Sequence, residues 1–203
     1  MFRREALRSN WRTVKPYFIF AVILFFASAV VGAASHDPID WLDQAILSIR
    51  DISESAATSA TPERTLFTAI LFNNIYSSLM ALYLGILAGV MPIVTLIVNG
   101  MLMGYLLGNL ADAGSNVWVL IVKGILPHGI LEIPALLLAC GYGVRLGFSL
   151  VRGIFAALIG KTQPWSGFAA ALKGSVPAAV LIVLLLLAAA VVESTVTYWL
   201  MKP

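Results

Sequence analysis

Residues 117–147 read VWVLIVKGILPHGILEIPALLLACGYGVRLG. A membrane-crossing helix needs about 20 largely apolar residues. This run is about 30 residues long and holds Pro127 and Pro134. Pro127 suits the start of a helix, because a first-turn proline gives up no hydrogen bond. Gly124 and Gly129 add freedom around it. The pattern predicts a span broken or re-entrant around Pro127, with limbs over 117–126 and 127–147. Broken spans normally line a cavity or are buried in protein.

Four other apolar stretches flank this one, near residues 16–34, 66–90, 92–110 and 176–200. The whole chain follows the same trend. Of its 203 residues, 60% are hydrophobic and 11% charged. A soluble domain carries about 25% charged residues, and so few charges cannot coat a globule of this size. The composition excludes a soluble enzyme, a nucleic-acid-binding domain and a disordered chain. Long uniform runs, rather than alternating ones, exclude a membrane β-barrel. The single cysteine, Cys140, excludes a disulfide framework and a cysteine zinc site. The expected fold is an all-α polytopic membrane protein of one domain, with five transmembrane helices.

Basic residues set the expected orientation. Arg3, Arg4, Arg8, Arg12 and Lys15 precede the first span, against Glu5 alone. Loop 36–64 carries Asp37, Asp40, Asp43, Asp51, Glu54 and Glu63 against Arg50 and Arg64. Segment 145–173 holds Arg145, Arg152, Lys161 and Lys173 and no acid. The alternation predicts a multi-pass cell-membrane protein with its N-terminus cytoplasmic and the tail after Leu200 outside. It also requires an uncleaved first span, although Ala33-Ala34-Ser35 resembles a cleavage site. The pI near 9.2 is therefore a topology signal.

The loops carry helical patterns of their own. Leu42, Ile46, Ile49 and Ile52 form an apolar stripe opposite Asp40, Asp43, Arg50 and Asp51. An amphipathic helix is expected there, entered at Asp37-Pro38. It either covers the tops of the spans or docks an extracytoplasmic partner. In segment 149–174, Val151, Ile154, Phe155, Leu158 and Ile159 share a face, with Trp165 and Phe168 as interfacial anchors.

Polar groups inside the spans are the candidate site. They are Asn73 and Asn74 in the second span, Asn99 in the third, and His128 and Glu132 in the fourth. An intramembrane ionisable residue costs about 2.5–3.5 kcal/mol on insertion scales and marks function by default. His128 and Glu132 are four residues apart, so a helix stacks them on one face. Three readings stand: a structural network with the asparagines, a divalent metal site (zinc, for example) or proton path, and catalysis. As metal ligands, His128 and Glu132 supply two donors and need more from elsewhere. Catalysis has little behind it, since His128 with Ser149 or Ser175 is not a partnered nucleophile. Glycines recur four apart at Gly85 and Gly89, at Gly100, Gly104 and Gly108, and at Gly143 and Gly147. They serve either packing within the chain or a homodimer seam.

Phe72-Asn73-Asn74, then Asn99-Gly100 with Gly104, then Pro127-His128-Gly129-x-x-Glu132-x-x-Ala135 together resemble the stage II sporulation protein M family. The resemblance covers about residues 66–147. It implies a membrane scaffold, not an enzyme. The family's namesake anchors stage II sporulation proteins D and P, which degrade peptidoglycan during engulfment. Similar proteins occur in organisms that never sporulate. The family's motif residues map here to Asn73, Asn74, Asn99, Gly100, His128, Gly129 and Glu132. The expected partners are thus the lipid bilayer, a second copy of the chain and cell-wall hydrolases, with no nucleic acid. The alternative is a channel or transporter-like protein that handles a metal ion or proton at His128 and Glu132.

Overall fold

A computed structural model describes residues 4–35, 38–58 and 61–197. Arg3, His36, Asp37 and residues 198–203, with the tail after Leu200, lie outside the described residues, as do the side chains of Ile49, Ile52 and Glu63. The described residues are all-α, with no strand among them. In order they form α1 (Arg4–Ala33), α2 (Asp40–Ala57), α3 (Pro62–Tyr83), α4 (Val90–Asp112), the one-turn α5 (Val117–Val119), α6 (Leu126–Leu158) and α7 (Ser166–Val192). A π-helical stretch, Leu120–Ile125, joins α5 to α6, and a second, Glu193–Thr197, extends α7. Five helical segments are long and apolar enough to cross a membrane. Their outer faces are apolar too: Ile23, Val30, Phe72, Ile130 and Leu184 are all exposed. Such a surface calls for cover by lipid or by another protein.

The fourth span corrects one expectation. The chain does not reverse at Pro127. Backbone dihedrals stay right-handed helical at Val119, Leu120, Ile125 and Leu126. One helical run covers Val117–Leu158. Pro127 comes just after the π-helical stretch, so its missing N–H leaves one helical bond unmade where the winding is already widened. The irregularity is a wider winding just upstream, rather than a re-entrant turn.

Several helices overrun their apolar limits at one end of the bundle. The helix α1 starts twelve residues before Pro16, α6 continues past Gly147 to Leu158, and α7 begins at Ser166, well before Val176. Packing holds these extensions. Ala171 is buried, and Gly153 lies against the Trp165 ring. Asn10 Nδ2 donates to Tyr142 Oη and to the Gly174 carbonyl, both at 2.8 Å, and Arg145 Nη1 donates to Asn10 Oδ1 at 2.6 Å. This node ties α1, α6 and α7 together. Beyond it Ile154, Phe155, Leu158 and Ile159 remain exposed.

The central helix is α6, which packs against α1, α3, α4 and α7. Its residues Ala135, Leu137, Ala139, Cys140, Tyr142 and Val144 are buried. One core cluster joins Val14, Leu82, Ala139, Ile182 and Leu186. The other joins Ala21, Phe25, Ala81, Leu96 and Cys140. The glycine stripes serve packing within the chain. Gly100 and Gly104 face the Phe25 and Ala29 carbonyls of α1, and Gly85 faces the backbone of Gly143. Between α3 and α4 the chain turns through Ala88 (φ 53°) and Gly89 (φ 80°). Gly89 takes this left-handed conformation without the clash a side chain would add.

The amphipathic helix expected in the first loop is α2, and it packs on α3 and α4. Leu42 is fully buried. Tyr105 of α4 donates its hydroxyl proton to Asp43 Oδ1 at 2.8 Å and accepts the Ile39 N–H at 3.4 Å. Trp41 and Leu47 stay exposed.

Candidate intramembrane polar site

His128 and Glu132 lie in the first two turns of α6, one turn apart, and so share a face. A third group joins them. Glu193, at the junction of α7 and its π-helical extension, brings a carboxylate oxygen to the pair. One donor atom from each of the three lies within 4.8 Å of the others. All three side chains are partly buried. On the third side stands α3. Asn74 faces Glu132, and Asn73 Nδ2 donates to Asn74 Oδ1 at 3.3 Å.

Helix register explains the meeting. Gly85 contacts Gly143, and Asn74 contacts Glu132. On both helices the two contacts are eleven residues apart, so α3 and α6 run parallel and in step. Eleven residues of helix span about 16 Å. The Gly85 level adjoins the α3–α4 turn at one membrane face. The polar cluster therefore sits about 16 Å along the bundle from that turn, within the lengths of the membrane-spanning helices.

Electrostatics make the arrangement demanding. Two carboxylates within 4.8 Å repel by about 3–4 kcal/mol at an effective dielectric near 20 when both are ionised. A protonated His128 balances one of them. A divalent cation balances both. Asn74 stands beside Glu132, within reach to orient the carboxylate.

Both helices that supply the cluster carry a π-helical stretch beside it, and the two stretches touch each other. π-helical residues make up well under 1% of globular proteins. They occur frequently at functional sites, where an extra residue per turn re-aims side chains.

Of the residues expected from sequence, His128, Glu132 and Asn74 meet, with Asn73 at the edge. Asn99 does not join them. Its Nδ2 donates to the Thr95 carbonyl of its own helix at 2.8 Å, and the residue is exposed. Ser149 and Ser175 do not approach His128 either. Each hydroxyl bonds a carbonyl of its own helix, and Ser149 lies about 31 Å along α6 from His128. Glu193 was absent from the expected site, because it stands near the end of its apolar run, where an acid is unremarkable. The Asn10, Tyr142 and Arg145 node also went unseen, since Arg145 reads as a topology charge.

The family model described as Stage II sporulation protein M matches residues 21–198. No curated protein and no solved structure matches the chain. The match takes in α2 and α7, well beyond the motif region. With its five membrane-length helices, the chain is a multi-pass membrane protein that belongs to the stage II sporulation protein M family.

Proposed function

We propose that the chain is a non-enzymatic membrane scaffold that recruits extracytoplasmic peptidoglycan hydrolases, of the kind represented by stage II sporulation proteins D and P. The positive-inside pattern puts the N-terminus in the cytoplasm and α2 outside. The observation that carries the reading is the seating of α2. Leu42 and the Asp43–Tyr105 bond fix it on the bundle, while Trp41 (44% exposed) and Leu47 (55% exposed) point away from it. Exposed aromatic and large apolar groups on a rigid base are what a protein partner anchors on. The scaffold acts as a homodimer in this reading. Its seam uses faces other than the glycine stripes, which are consumed inside the chain. Ion transport is the competing role. The cleft of about 480 Å³ between α4 and the fourth span is apolar, lined by Met103, Leu107, Ile121 and Ile130, and so offers no polar path for an ion.

The test is co-purification of the full-length chain with co-expressed proteins D and P. The double variant Trp41→Ala/Leu47→Ala should lower recovery of the hydrolases at least tenfold, with α2 still seated through Asp43. Undiminished recovery, or no recovery with the wild type, would overturn the docking assignment.

A further inference from the structure

We propose that His128, Glu132 and Glu193 form a divalent transition-metal site, with zinc as its simplest occupant, that staples α6 to α7 inside the membrane. The donors are one imidazole nitrogen and two carboxylate oxygens, a set suited to zinc and its first-row neighbours. Zinc holds such atoms at about 2.0–2.2 Å, so tetrahedral neighbours lie about 3.4 Å apart. Here the three atoms are within 4.8 Å of one another. Side-chain rotations of an ångström or so bring them to coordination distance, and both glutamates have three rotatable bonds with which to make them.

Three further features converge on the same place. Two carboxylates this close in a low-dielectric layer cannot both stay ionised without a compensating charge, which a dication supplies. Asn74 faces Glu132 from a third helix, and Asn73 donates to Asn74, which places amides where groups that orient a metal-bound carboxylate stand. The touching π-helical stretches flank the donors on both helices. Three protein donors leave one coordination position open for water. By joining distant segments of the chain, the ion would stabilise the folded bundle through binding linkage.

Zinc binding is measured on full-length protein in lipid nanodiscs, stripped with chelator and titrated with zinc alone. The expected result is one zinc per chain. Glu193→Gln and Glu132→Gln, which keep the side-chain shape, should each weaken binding at least about tenfold, and Asn74→Ala about tenfold to a hundredfold. Asn99→Ala lies outside the cluster and should bind as the wild type does. Circular dichroism of each variant establishes that the bundle is intact. Where a glutamine variant fails to fold, cobalt absorption of the wild type decides, since an imidazole–carboxylate set gives a d–d band. A folded wild type that takes up no zinc, variants that bind unchanged, or equal loss in Asn99→Ala would overturn the site. Zinc binding needs no hydrolase, so either this site or the scaffold role can fail while the other stands.

Discussion

Gly104 and Gly167 receive the same substitution to alanine with opposite expected outcomes. Gly104 lies where α4 crosses α1, and a Cβ there would fall within the van der Waals envelope of the Ala29 carbonyl oxygen, with the Ala29 and Ala33 backbone close behind. The neighbour is backbone, so no side chain can swing aside, and the helices must part. Overpacking costs about 1–3 kcal/mol, and a clash with unyielding backbone takes the upper part of that range, about 2–3 kcal/mol. Alanine's helix propensity returns at most about 1 kcal/mol. The net expectation for Gly104→Ala is a loss of about 1–2 kcal/mol. For a chain of this size that lowers Tm by roughly 2–8 °C. Gly167, in the first turn of α7, has nothing within 4 Å of its would-be Cβ. Gly167→Ala should leave Tm unchanged or raise it, with a gain of at most about 1 kcal/mol. The assay is thermal unfolding of the two variants side by side in nanodiscs of one lipid. Equal melting of Gly104→Ala and wild type would refute the close α1–α4 contact. So would a larger loss for Gly167→Ala. The consequence reaches function, because Tyr105, which holds α2, is the next residue after Gly104.

Tyr105→Phe removes the hydroxyl that donates to Asp43 and accepts from Ile39. A bond to a charged group contributes about 1.5–3 kcal/mol, so amide exchange in α2 should quicken by at least tenfold while α4 stays protected. Asn10→Ala takes the shared partner from Arg145, Tyr142 and Gly174. Interhelical polar bonds in membranes average about 0.6 kcal/mol, and losing all three should lower Tm by several degrees. For topology, Ser48→Cys on the exposed part of α2 should react with impermeant maleimide added outside intact cells. The buried Cys140 should react only after denaturation.

The spans were legible because length and apolarity are properties of one segment, and lipid enforces both. Their ends were less so. The extensions of α1, α6 and α7 are held by contacts between helices, such as Asn10 with Gly174, which no hydropathy pattern carries. The break at Pro127 misled for a related reason. Proline marks a helix start, and a helix already in progress can meet that condition by widening its winding upstream. Most of the polar site was readable, since His128 and Glu132 are one turn apart in an apolar run and Asn74 is an amide within a span. Glu193 stands 61 positions from Glu132, and only the packing of α7 on α6 unites them. Asn99 shows the converse. An amide within a span can bond its own helix, and its presence alone says nothing about direction.

The convergence of His128, Glu132 and Glu193 on one cation is tested most directly by anomalous X-ray scattering at the zinc edge from crystals of zinc-loaded protein. One peak per chain is expected, within coordination distance of all three side chains and with Asn74 on Glu132. A peak elsewhere, or none with the three side chains apart, would contradict it.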